Sequence, residues 1–317
     1  MSSNTRRLAA LTIAGALLAA GCAAREQASS NSSPDTFESR SQAFPVTVTP
    51  PTGKPVTIER RPAHIVSLSA SNTETLFAVG AGKQVVAVDD QSDYPAGVPK
   101  TELSGLTPNV EAISKYNPDL VVISDNADNL VESMSAIGVP VLTVPAPATL
   151  DDVYSGMELI GKATGHPDEA TDLVDQTRAG LDKIVADTPK PASPLTYYHE
   201  VDQTLYSATS KTFIGQVYSL FGLTNIADPA DKDKGGYPQL SNEAILQANP
   251  DLIFLADAQC CAQNATTVAA RPGWNTLAAV KNGNIVALDD DLASRWGPRI
   301  VDLARSIADA VTKAGHS

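Results

Sequence analysis

Basic residues are scarce in this chain: 23 lysines and arginines stand against 36 acids, a formal charge of −13 over 317 residues. That deficit excludes a nucleic-acid binder, which needs a basic face, and a polybasic grip on anionic lipid. It suits solubility and docking to a basic partner. Histidine is also sparse, at four residues. His64 and His199 have no cysteine, histidine or carboxylate partner at ligand spacing, so no protein metal site and no resident cofactor are expected. No Ser-His-Asp order, metal triad or phosphate loop is visible, and an enzyme is not expected. Aromatic residues reach only 5 % while alanine, valine and leucine abound, as in many α/β proteins.

Internal similarity is what the chain does have. Glu111-Ala112-Ile113 with Asn117-Pro118-Asp119-Leu120 is matched in register by Glu243-Ala244-Ile245 with Asn249-Pro250-Asp251-Leu252, and Pro108 and Pro238 lie upstream. So long a period points to two related lobes rather than a solenoid. Each copy reads as helix, turn and strand. The glutamate suits the positive end of a helix dipole. Asn-Pro ends the helix, because a residue before proline is pushed out of the α region. The apolar runs after Leu120 and Leu252 have the length and β-branched content of buried parallel strands.

At the N-terminus, Arg6-Arg7 precedes an apolar run over 8–20 that is too short for a typical spanning helix and ends in Leu18-Ala19-Ala20-Gly21-Cys22. This resembles the bacterial lipobox, with Ala19 where leucine is usual. The resemblance implies cleavage before Cys22, lipidation of that cysteine and anchoring to the outer face of the cytoplasmic membrane. The mature chain would then carry −15, since residues 1–21 hold two arginines and no acid. The Ser-, Asn- and Pro-rich stretch that follows reads as a tether, with a short strand near 44–48 and another over 56–59.

Strands are expected over 65–68, 85–88, 139–144, 195–200 and 286–288, alternating with helical patterns. Asn72 or Ser71 is the expected cap of the first helix. A long helix from Pro167 to about Ala186 would span about 30 Å, enough to join two lobes. The expected parts are a signal peptide over 1–21, a tether over 22–55, an N-terminal lobe over 56–149, a helical connector over 150–189 and a C-terminal lobe over 190–317.

Arg61-Pro62 with His64-Ile65-Val66-Ser67-Leu68, Ser71-Asn72-Thr73-Glu74, Ser92-Asp93-Tyr94-Pro95, the two glutamate repeats, Arg271-Pro272-Gly273-Trp274, Leu288-Asp289-Asp290-Asp291 and Ser294-Arg295 occur in one order over most of the chain. Together they are similar to the ABC-importer substrate-binding proteins that carry iron–siderophore complexes, haem or cobalamin. The resemblance implies an α/β fold of two lobes with parallel-rich sheets flanked by helices. One long rigid helix joins the lobes (class III), and the ligand lies in the cleft between them. It also implies a role for the repeat: Glu111 and Glu243, one per lobe, would dock onto arginines of a permease dimer. A monomer delivering a pre-formed iron chelate or haem is the leading expectation, with cobalamin as the alternative and the lipid anchor as the sole membrane contact.

Ligand contacts must come from loops at strand ends. Tyr237, before Pro238-Gln239-Leu240-Ser241, stands in a stretch that resembles cobalamin-binding relatives. Arg295 could pair with anionic chelate oxygens and Trp296 could stack on a planar group. Gln91, Tyr94, Leu106, Tyr206 and Arg299 are further candidates. Gln91 and Leu106 stand where cobalamin-binding relatives tend to carry aromatics. Adjacent Cys260 and Cys261 could close only a strained vicinal disulfide; two free thiols or an intermolecular link are the alternatives. A structural lipoprotein acting through protein contacts is a third reading of the whole chain.

Overall fold

The computed structural model describes residues 42–315. The expected signal segment, Cys22 and the tether up to residue 41 lie outside the described residues. An antiparallel hairpin, β1 (Val46–Val48) and β2 (Val56–Ile58), opens the described chain. Val46, Val48 and Ile58 are buried in the first core, so the hairpin belongs to the folded body although β1 precedes residue 56.

Five strands follow: β3 (Ile65–Leu68), β4 (Val85–Asp89), β5 (Lys100–Leu103), β6 (Leu120–Ile123) and β7 (Val141–Thr143). They form one parallel sheet in the order β5-β4-β3-β6-β7, with α1 (Ala70–Ala78), α2 (Val110–Ser114) and α3 (Leu130–Ala136) among the connections. Every residue of β3 and β6 is buried, as a strand covered on both faces requires. β5 alternates polar residues at the sheet edge, so its sequence carries no apolar run to mark it. The cap of α1 is Ser69 rather than Ser71 or Asn72. Asn72 lies inside the helix and is fully buried; its Nδ2 donates to the carbonyls of Ile123 and Val144, tying α1 to the ends of β6 and β7.

Two helices then run antiparallel. α4 (Leu150–Thr164) starts in a capping box between Thr149 and Asp152 and stops at Gly165, which takes a left-handed φ of 81°. α5 (Pro167–Asp187) has proline at its first position, where the missing N–H costs nothing. Its 21 residues give about 31 Å. Ala170 of α5 joins the first core, while Val174 and Leu181 join the second. α4 mirrors this, with Ile160 and Ala163 in the first core and Met157 in the second. Both cores therefore grip the same helices, and the junction is stiff.

The helices touch at Gly161, where an added Cβ would sit 2.2 Å from the Ala170 Cβ and 2.7 Å from the His166 carbonyl oxygen. Gly161→Ala is expected to cost about 1–3 kcal/mol by overpacking, seen as a lower urea midpoint at unchanged slope. An unchanged midpoint would show that the helices part freely.

The second half contains β8 (Thr196–Glu200), α6 (Phe213–Leu220), β9 (Thr224–Asn225), α7 (Asn242–Ala248), β10 (Leu252–Leu255), α8 (Ala265–Ala269), α9 (Ala278–Lys281), β11 (Ile285–Ala287), α10 (Asp290–Ser294) and α11 (Ile300–Gly315). Its four strands form a parallel sheet in the order β11-β10-β8-β9.

The two repeat copies share one helix–turn–strand plan, with α7 two residues longer than α2. Asn109 caps α2 and Ser241 caps α7, each accepting the backbone N–H three residues on. Asn117 and Asn249 turn the chain with left-handed φ of 49° and 46°. They leave the α region for this conformation rather than for the extended one, because asparagine tolerates it. The Asp119 carboxylate then accepts the amides of Ala63 and His64 ahead of β3, and the Asp251 carboxylate accepts the Thr196 amide and hydroxyl at the start of β8. In each lobe this aspartate pins the strand after the repeat to its central neighbour.

Candidate ligand-binding cleft

In an open parallel sheet the ligand side is the carboxyl end of the strands. In the first lobe that end is sealed by a hydrogen-bond chain: Thr73 Oγ1 donates to Ser67 Oγ and meets Ser92 Oγ at 2.8 Å, and Ser92 Oγ donates to Asp89 Oδ1 at 2.5 Å. Burial of Asp89 raises its carboxyl above the ordinary range despite the Ser92 bonds. Gly105 brings the loop after β5 against the end of β3, where an added Cβ would lie 2.4 Å from the Leu68 carbonyl oxygen. The next residue, Leu106, is 84 % exposed.

From the second lobe, the loop between α10 and α11 reaches across. Arg295 Nη1 donates to Glu74 Oε1 at 3.2 Å and Asp93 Oδ1 at 2.7 Å, while its Nη2 donates to the Gln91 carbonyl at 2.9 Å and meets Asp291 at 2.7 Å. Arg299 Nε donates to Glu74 Oε2 at 2.7 Å, and its Nη2 makes a second, shorter bond to Oε1. The Glu74 side chain is 1 % exposed, so both guanidiniums converge on a buried carboxylate of the other lobe. The Arg299 guanidinium also covers the Tyr94 ring, 4.2 Å from its centre. Hydrogen bonding and charge from Arg295 hold the Asp93 carboxyl below its ordinary range against a desolvation penalty.

The candidates therefore separate. Arg295 and Arg299 are committed to carboxylates, and Gln91 contributes its carbonyl to that clamp. Trp296 packs edge-on against Phe213 at 6.4 Å, with its indole Nε1 buried and unpartnered. Tyr94, Leu106, Tyr206 and Tyr237 are four of the six most exposed large apolar side chains among the described residues. Tyr206 and Tyr237 line a hollow of about 480 Å³ in the second lobe, whose charged lining is Asp231, Lys232 and Asp233. Tyr206 is held by a backbone bridge to Gln239, whose side chain donates to the Thr204 carbonyl at 2.9 Å. A larger hollow of about 910 Å³ lies away from the clamp, between the β1–β2 turn, α3 and β7.

Glu74 was missed as a partner for Arg295 because 221 residues separate them; the Ser71-Asn72-Thr73-Glu74 motif marked the place but not the contact. Arg271 belongs to a second buried pair, donating to both Glu200 oxygens at 2.5 and 2.6 Å and lying over Trp274. This gives the Arg271-Pro272-Gly273-Trp274 motif a packing role. Beside it, desolvation and then the Glu200 charge push the Asp257 carboxyl up to about 7.

Glu111 and Glu243 lie in the first turns of α2 and α7, both exposed and without an ion-pair partner among the described residues. A helix that follows a parallel strand begins at that strand's carboxyl end, so both sit on the ligand side of their sheets.

Residues 65–292 match the family model described as periplasmic binding protein. The chain belongs to the periplasmic binding protein family. Its place is with ABC-importer substrate-binding proteins, and it is a binding protein rather than an enzyme. It is 33 % identical over 282 residues to the ABC transporter substrate-binding lipoprotein YvrC of Bacillus subtilis, covering 86 % of this chain and 87 % of that one. A cobalamin-binding protein of Halobacterium salinarum is 31 % identical over 86 % of this chain and 75 % of its own. Among solved structures, a possible iron-binding (periplasmic solute-binding) protein of Staphylococcus epidermidis superposes with a TM-score of 0.70 at 29 % identity, over 80 % of this chain and 99 % of that one. The two-lobed class III fold is thus the family's. No helix among the described residues is long and apolar enough to cross a membrane.

Proposed function

We propose that this periplasmic binding protein captures a corrinoid of the cobalamin type between its lobes and delivers it to an ABC importer. The observation that carries the ligand class is the use of Arg295 and Arg299. An anionic ferric chelate needs unpaired cations, and both guanidiniums at the cleft floor already face Glu74, Asp93 or Asp291. The exposed groups are instead Tyr94, Leu106, Tyr206 and Tyr237, which suit a broad ligand with an apolar face and an amide-bearing rim. The cobalamin-binding name of the Halobacterium relative supports the same reading. Haem is the second reading, favoured by the three exposed tyrosines, since a phenol oxygen can ligate haem iron. Glu111 and Glu243 would dock the loaded protein onto basic residues of the permease dimer, and a lipid on Cys22 would keep it at the outer face of the cytoplasmic membrane.

Titration with cyanocobalamin, haemin and a ferric hydroxamate, read by quenching of Trp296 fluorescence, tests the ligand. Trp296 meets the Arg295 loop, and a Trp296→Phe control isolates its signal from that of Trp274. Saturation by cyanocobalamin at one equivalent is expected. Saturation by haemin or the hydroxamate alone would overturn the corrinoid reading.

A further inference from the structure

The loop over 257–263 leaves β10 at the carboxyl edge of the second sheet and carries Cys260 and Cys261, both exposed free thiols. It is held from two sides. The Asp290 carboxylate accepts the amides of Gln259, at 3.0 and 3.2 Å, and of Cys260, at 2.6 Å; Asp289 accepts Gln259 Nε2 at 3.3 Å. The Asp257 carbonyl accepts the amides of Cys261 and Gln263, and Ala262 takes a left-handed φ of 55°. The turn puts the two sulfurs on one side, 2.7 Å apart. The hydrogen bond with the Cys261 thiol, with lesser effects of desolvation and the Asp290 carboxylate, pushes the Cys260 thiol up to about 12.

We infer that this loop is a thiol–disulfide exchange site whose two cysteines close on each other, and that the interlobe clamp senses its state. Across the 2.7 Å contact one thiol can donate to the other, and the accepting sulfur, here that of Cys261, is the nucleophile. Its thiolate attacks an external disulfide, of small-molecule or protein origin, and expels one thiolate that leaves as a thiol. Cys260 then loses its proton and attacks Cys261 Sγ, expelling the second thiol. Two cysteine thiols are oxidised and one external disulfide is reduced to two thiols. Consecutive Cα atoms are about 3.8 Å apart across a trans peptide, below the span of relaxed disulfides, so the product is strained and easily reduced. Strained, exposed disulfides are the labile and regulatory ones. The resolving thiol is the adjacent residue, so closure outruns an intermolecular link.

Closure twists the Cys260–Cys261 peptide, whose N–H is bound to the Asp257 carbonyl, and turns with it the adjoining Cys260 amide, which is bound to the carboxylate of Asp290, the first residue of α10. The next residue, Asp291, accepts the Arg295 amide at 2.9 Å through its carbonyl and meets the Arg295 guanidinium at 2.7 Å. The path from the thiol pair to Glu74 is therefore continuous and does not depend on which ligand is carried.

The test treats the full chain with oxidised glutathione and weighs the proteolytic peptide that holds both cysteines. Loss of two hydrogens, reversed by dithiothreitol, is expected; Cys260→Ser should instead retain a glutathione on Cys261. A stable glutathione adduct or a linked dimer in the wild-type chain would overturn the exchange site. Hydrogen exchange over 289–295 should quicken about threefold or more on oxidation. The Cys260→Ser/Cys261→Ser chain should not respond to the oxidant. Equal exchange in the two redox states of the wild type would overturn the coupling.

Discussion

Replacing Glu74 with alanine should lower the stability of the folded protein by about 3–5 kcal/mol, the cost of deleting one partner of a buried ion pair. Three facts drive the expectation. The Glu74 side chain is 1 % exposed, both its oxygens are bonded, and its partners Arg295 and Arg299 are only 12 % and 17 % exposed. Removal leaves two largely buried guanidiniums without their shared counter-charge, while Asp93 and Asp291 reach Arg295 alone. Glu74→Gln keeps the shape and should recover only a minor part. The Arg178–Asp151 pair, 49 % and 82 % exposed, is the control: Arg178→Ala should cost about 1 kcal/mol or less in ion pairing. Urea unfolding of the three variants reads the difference. A Glu74→Ala loss no larger than that of Arg178→Ala would mean that the lobes do not depend on this clamp. In a double-mutant cycle, Glu74→Ala with Arg299→Ala should cost less than the two changes separately, because the pair shares one interaction.

The clamp also shows where sequence reasoning stops. The repeats, the buried parallel strands and the long helix α5 were legible because each is written in local periodicity and turn chemistry. Asn117 and Asn249 even repeat the left-handed turn that follows their helices, although proline alone suggested an extended exit. β5 escaped because Lys100-Thr101-Glu102 at a sheet edge has no apolar run. Ser69 escaped as a cap because Asn72, the better capping residue type, was drawn inside the helix by the free carbonyls of Ile123 and Val144. At the cleft, residue type suggested that Arg295 would meet the oxygens of an anionic chelate. The oxygens it meets belong to Asp291 of its own lobe and to Glu74 and Asp93 of the first, and pairing over the latter separation leaves no spacing to read. The exposed tyrosines carry the same limit, since exposure is a property of the folded loops.

Reversing Glu111 and Glu243 together to lysine should reduce importer-dependent uptake by about a hundredfold or more, since like charges brought together at an interface cost several kcal/mol. Ligand affinity in the isolated protein should stay within about twofold, because neither first-turn residue touches the clamp or the exposed tyrosines, and differences of that size are below 1 kcal/mol. The structural role open to each glutamate is small: a favourable acid in a first helical turn contributes about 0.3–1 kcal/mol. A docking role and a helix-end role thus predict very different outcomes. The two carboxylates also lie on stiffly joined lobes, since α4 and α5 enter both cores and Glu74 ties the lobes at the cleft floor. That bracing favours a constant separation of the two carboxylates, as a partner that reads both charges at once would require. Each single reversal should lower uptake by an intermediate factor, with the double reversal losing more than either. Uptake that survives the double reversal would remove these glutamates from the docking surface. A parallel fall in ligand affinity would instead place them in the binding cleft.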